Sequence, residues 1–140
     1  MILVDTGAWL ALADKADAYH ARCVAFFRSN CVPLMTTYPV LVECVQLMFR
    51  RIGVAKTPAW MDTLAAQGVD VFAIGADHLA RLTELMRQHA DLPMDLADAS
   101  LVLLAEEFGD GRIVRTDERD FHAYRWKSQH PFSNLLRTPS

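Results

Sequence analysis

Residues 94–117 read MDLADASLVLLAEEFGDGRIVRTD, and this stretch decides the fold. From Asp95 to Phe108 it is apolar nearly all round, interrupted by Asp98 and by Glu106-Glu107 near its end. A helix patterned this way is buried. Gly109-Asp110-Gly111 then breaks the pattern, and Gly111 to Thr116 reads as a short strand built on Ile113 and Val114. The two elements nearly cancel in length. From Asp98 the helix advances about 15 Å at roughly 1.5 Å per residue. The strand returns about 16–20 Å at roughly 3.3 Å per residue. Asp98 and Asp117 therefore come back to the same edge of a sheet.

Outward from this stretch the alternation recurs. Residues 1–5 read as a buried strand, Met1-Ile2-Leu3-Val4-Asp5. Residues 18–29 read as a helix with Tyr19, Cys23, Phe26 and Phe27 on one face. Cys31 to Thr36 reads as a second strand, and residues 38–52 as a helix ended by Gly53. Thr57-Pro58 opens another helix that Gly68 closes. Val69 to Ile74 reads as a third strand. Asp77 to about His89 carries Leu79, Leu82 and Met86 on one stripe, and a short last strand is expected near Phe132 to Leu136. Alternation of this kind predicts an α/β three-layer sandwich, a central parallel sheet of four to five strands with helices on both faces.

With 140 residues and no repeats or linkers, the chain is expected to form one domain over 1–140. Apolar residues make up 52% and charged residues 22%, which fits a globular and not a disordered chain. The net charge of −3 argues against a binder held to nucleic acid by overall charge. It leaves room for an enzyme whose acids are masked by bound cations. The three cysteines, Cys23, Cys31 and Cys44, lack CxxC or zinc spacing and read as reduced thiols of a cytoplasmic protein. The opening residues carry no signal-peptide pattern, and no stretch approaches a membrane span.

Four acids sit in apolar settings: Asp5 after Ile2-Leu3-Val4, Glu43 in Leu41-Val42-Glu43-Cys44-Val45, Asp98, and Asp117. Asp5 and Asp117 fall at the carboxyl ends of strands. Glu43 lies one to two turns into a helix, leaning back to the same edge. In open α/β sheets that edge binds ligands. Close carboxylates repel by about 4 kcal/mol per pair at ~4 Å and an effective dielectric near 20. They must protonate, pair with Arg or Lys, or bind a hard cation. Oxygen-only donors suit Mg²⁺ or Mn²⁺, and such ions with an anionic substrate point to phosphoryl chemistry. On repulsion alone, Asp5→Asn or Asp117→Asn should stabilise the metal-free protein.

At these residues the chain resembles the PIN-domain ribonucleases, most closely the toxin subunits of VapBC-type toxin–antitoxin pairs. The resemblance rests on Val4-Asp5-Thr6-Gly7, Glu43, Met94-Asp95-Leu96-Ala97-Asp98-Ala99 and Thr116-Asp117-Glu118-Arg119-Asp120-Phe121. It implies a Mg²⁺- or Mn²⁺-dependent endoribonuclease with an RNA substrate, inhibited by a small VapB-like antitoxin and assembled as a homodimer. By matched position Asp5, Glu43, Asp98 and Asp117 form the catalytic set, with Asp5, Asp98 and Asp117 as metal ligands. Thr6, Asp95, Thr116 and Asp120 support them. One departure is Arg115, where many relatives carry a small or hydroxyl residue. Its guanidinium either points away along the strand or competes with a metal.

Other readings stand beside this one. Asp5 and Asp95 are also good helix N-caps, and Asp95 with Asp98 makes a capping pair. Leu3-Val4-Asp5-Thr6-Gly7-Ala8 resembles an aspartic-protease motif, but that motif belongs to an all-β fold and no second copy is present. A phosphotransfer domain using Asp5 as nucleophile would want a second Asp where Gly7 stands. A catalytically inactive PIN-like module that binds RNA or protein is the alternative outside the enzymes.

Overall fold

The computed structural model describes residues 1–116 and 123–136. In chain order the strands are β1 (Ile2–Val4), β2 (Leu34–Thr37), β3 (Asp70–Phe72), β4 (Arg112–Val114), β5 (Arg125–Trp126), β6 (His130–Pro131) and β7 (Ser133–Asn134). The helices are α1 (Thr6–Ala13), α2 (His20–Ser29), α3 (Tyr38–Arg51), α4 (Thr57–Ala66), α5 (Leu79–Gln88) and α6 (Leu96–Phe108). Five strands form one parallel sheet in the order β3-β2-β1-β4-β7, while β5 and β6 pair as a separate antiparallel hairpin. The helices flank the sheet, as the alternation predicts.

β1 is buried throughout and central, which suits its unbroken apolar sequence. Its register places Leu3 opposite both Met35 and Ile113, and Val4 opposite Val114. α6 is buried along Ala97 and Ala99–Ala105, confirming the all-round apolar reading. It ends on Gly109 in the left-handed region at φ 63°, a conformation that costs glycine little. Leu3, Val4, Trp9, Val40, Leu101, Leu104 and Ile113 belong to the core cluster. Among the described residues no helix is long and apolar enough to cross a membrane.

The structure departs from the sequence reading in three places. α1 is foreshadowed only by the reading of Asp5 as a cap: its residues are apolar on nearly every side, so no periodicity marks them. The hairpin β5–β6 is additional, turning through Lys127 and Ser128 at φ 50° and 61°. The strands are shorter than read, although β2 begins later and ends one residue beyond the reading, at Thr37, where it still pairs with Phe72.

Candidate active site at the carboxyl edge of the sheet

Register builds the centre of the site. Val4 and Val114 are partners, so Asp5 and Arg115, one residue further along each strand, emerge side by side. The Asp5 amide continues the ladder to Val114 O at 3.2 Å. Asp5 is 7% exposed and caps α1, its Oδ1 accepting from the Thr6 amide at 2.7 Å. Its Oδ2 accepts from Arg115 Nη1 in an ion pair. Asp5 is thus a helix cap that also stands at the acidic cluster.

α6 delivers Asp98. Asp95 is its N-cap, accepting from the Asp98 amide at 2.8 Å, and the Asp98 carboxylate reaches back to the Asp95 amide at 3.4 Å. This capping box turns Asp98 toward the strand ends, where its Oδ1 lies 3.7 Å from Arg115 Nη1. Burial, then the charges of Asp95 and Asp5, push the Asp98 carboxyl up to about 7, against the opposing pull of Arg115. The Arg115 side chain is only 10% exposed.

α3 delivers Glu43. The helix starts where Thr37 Oγ1 accepts from the Val40 amide at 3.3 Å, with proline in the first turn. The same hydroxyl meets Ser100 Oγ at 2.6 Å, tying α3 to α6. Glu43 Oε2 accepts from Thr6 Oγ1 at 3.2 Å. Burial first, then Asp95 and Asp5, raise the Glu43 carboxyl above its ordinary range. Thr6 thus joins the acid of α3 to the start of α1. Beside it, burial raises the Cys44 thiol far above its usual range, and Cys23 is pushed up to about 11. Neither is a thiolate nucleophile.

Thr116 lies against the start of α1. A Cβ on Gly7 would fall on Thr116 Oγ1, so Gly7 is the residue that lets the two chain segments touch. Asp117 and Asp120 lie outside the described residues. Asn134 went unread in the sequence. Its Nδ2 donates to Arg115 O at 2.9 Å and its Oδ1 accepts from the Arg115 amide at 3.2 Å. It pins the Arg115 backbone as a neighbouring strand would. No sequence signal beyond the expected last strand marks it.

Asp5, Glu43, Asp98 and Thr6 are thus linked by contact, with Arg115 among the acids. Of the two orientations open to Arg115, the structure shows the one facing the acids. Among the described residues no three side chains form a ready metal cage. The donor chemistry still fits a hard divalent ion. The carboxylates offer only oxygen, and the charges of Asp95 and Asp5 bear on Asp98.

A family model described as PIN domain matches residues 2–127. Ribonuclease VapC26 of Mycobacterium tuberculosis is 28% identical over 124 residues, which is 89% of this chain and 92% of that protein. Among solved structures, Mycobacterium tuberculosis VapC20, titled a sarcin–ricin loop cleaving toxin, superposes with a TM-score of 0.79 at 25% identity. The match covers 88% of this chain and 95% of that one.

Proposed function

The chain belongs to the PIN-domain family, and from that premise we propose that it is a single-domain, divalent-metal-dependent endoribonuclease. Its likeness to a VapC ribonuclease and a VapC toxin supports a role as the toxin of a toxin–antitoxin pair in the cytoplasm, with RNA as substrate. On the same ground its partners are a VapB-like antitoxin and a second copy of itself. The observation that carries the enzymatic reading is the contact of Asp5, Glu43 and Asp98, through Thr6 and Arg115, at the sheet edge where α/β folds bind ligands.

Asp5 and Asp98 would hold Mg²⁺ or Mn²⁺, together with Asp117. When bound, the ion acidifies water and offsets charge on the reacting phosphate. Glu43 is the residue assigned to the proton. Burial, with the charges of Asp95 and Asp5, raises its carboxyl above the ordinary range, the direction that makes a carboxylate a better general base. Thr6 holds Oε2, so Oε1 takes the proton from the attacking water. Attack on phosphorus breaks the bond to the 3′ oxygen and leaves 5′-phosphate and 3′-hydroxyl ends. Asp95 keeps Asp98 aimed through the capping box. Thr116 stands by for a phosphate oxygen, and Asp120 is assigned a supporting role.

One observation favours the second reading, an inactive RNA- or protein-binding module: Arg115 already pairs with two of the acids. A cleavage assay on structured RNAs with Mg²⁺, Mn²⁺ or EDTA separates the two. Cleavage should require a metal. Glu43→Gln should slow it by about 10²–10⁴-fold, while RNA affinity stays equal or improves because a negative charge near phosphate is lost. RNA binding without cleavage under either ion, across a broad substrate panel, leaves the inactive module standing.

A further inference from the structure

We propose that Arg115 is an in-chain counter-cation that occupies the metal position in the resting protein and must be displaced for a divalent ion to bind. This rests on the metal-dependent reading of the site. Arg115 Nη1 engages Asp5 Oδ2 and stands 3.7 Å from Asp98 Oδ1. Asp5 Oδ1 is already taken up by the Thr6 amide. Asp5 and Asp98 would hold a hard cation through carboxylate oxygens, and the guanidinium already stands against Asp5 Oδ2 and Asp98 Oδ1. A guanidinium held beside a divalent ion would also suffer like-charge repulsion in a half-buried site. The two cations are therefore alternatives.

The anchoring of Arg115 suits an exchange. Its backbone amide and carbonyl are pinned by Asn134, so the root of the side chain stays fixed. Displacement by rotation of the side-chain stem then leaves the β4 ladder intact. The resting protein keeps Asp5 paired without metal, at the expense of metal affinity. Once displaced, the guanidinium hangs at the mouth of the site, and its planar fork matches a phosphate that arrives with RNA.

The test is calorimetric titration of Mn²⁺ into wild type and Arg115→Met, which keeps an apolar stem and removes the charge. Arg115→Met should bind Mn²⁺ about tenfold or more tightly than wild type. A second readout uses wild type alone. The ¹⁵N resonance of the Arg115 Nε–H should move on Mg²⁺ addition and saturate with the binding isotherm. Wild type that binds metal while Arg115→Met binds it equally or more weakly overturns the counter-cation inference and leaves the metal-dependent reading intact. If Arg115→Met does not fold, the resonance decides, and a signal that stays in place while Mg²⁺ binds overturns the inference. If both folded proteins bind neither ion, the metal-dependent reading falls and this inference with it.

Discussion

Asp5 and Asp98 share one guanidinium unequally, and the inequality has a measurable sign. Asp5 holds both a backbone amide and Arg115, whereas Asp98 lies further from that charge and is pushed up to about 7. A carboxyl raised above its ordinary 3.8 destabilises the fold as it ionises, beginning as pH passes the unfolded value and complete above about 7. In EDTA, Asp98→Asn should therefore melt higher than wild type at about pH 8 and converge with it near pH 4. Asp5→Asn should melt lower, since it weakens a buried pair whose disruption costs up to about 3–5 kcal/mol. This reverses the stabilisation expected for Asp5→Asn from repulsion alone. Thermal melts of both variants at the two pH values decide it, and Asp98→Asn melting below wild type at the higher pH would sink the account. Crowding was legible in the sequence, as was the possibility of an Arg partner. Which acid keeps the Arg was not legible, because that depends on the Val4–Val114 register, a pairing 110 residues apart in the chain.

At the scale of elements, the start of α1 shows why the site is tight. Asp5 caps the helix and Gly7 lies in its first turn, against Thr116. Gly7→Ala should gain a little helix propensity, up to about 1 kcal/mol, yet lose more, about 1–3 kcal/mol, through overpacking onto the Thr116 hydroxyl. In a Thr116→Ala background the clash is gone and Gly7→Ala should become neutral or stabilising. Denaturant melts of the two single variants and the double variant measure the coupling. Additive effects would show that the two residues do not meet. Of the elements, α5 was legible from its stripe, α3 and α4 from the glycines that close them, and α6 from its length and all-round apolarity. α1 was hidden by its uniform apolarity, and the β5–β6 hairpin by the weak pattern of Arg125 to Pro131. Glu43 could be placed on α3 from sequence, but its bond to Thr6 required α1 and α3 to pack together.

The whole molecule carries more apolar surface on α3 than one core contact uses. Val40, Leu41, Cys44 and Met48 face inward, yet Tyr38 is 63% exposed, Val42 56% and Phe49 43%, with Val45 half-buried between them. The spacing 38, 42, 45, 49 runs down one face of the helix. A second stripe of this kind on a chain of 140 residues marks a surface to be covered. It is also the part of the reading that sequence showed early, since residues 38–52 are apolar on more faces than one packing contact needs. The proposed homodimer would bury it, and the prediction follows at this scale. Wild type should sediment as a dimer at micromolar concentration. Val42→Glu combined with Phe49→Glu should sediment as a monomer and keep its circular dichroism spectrum, because neither side chain belongs to the buried core. Removing exposed apolar groups from an unpaired surface usually changes stability by less than about 0.5 kcal/mol, so a monomeric variant whose melting no longer depends on protein concentration is the expected result. A wild type that is monomeric across that concentration range rules out the homodimer and leaves the stripe to a different occupant. A double variant that remains a dimer places the interface elsewhere on the molecule.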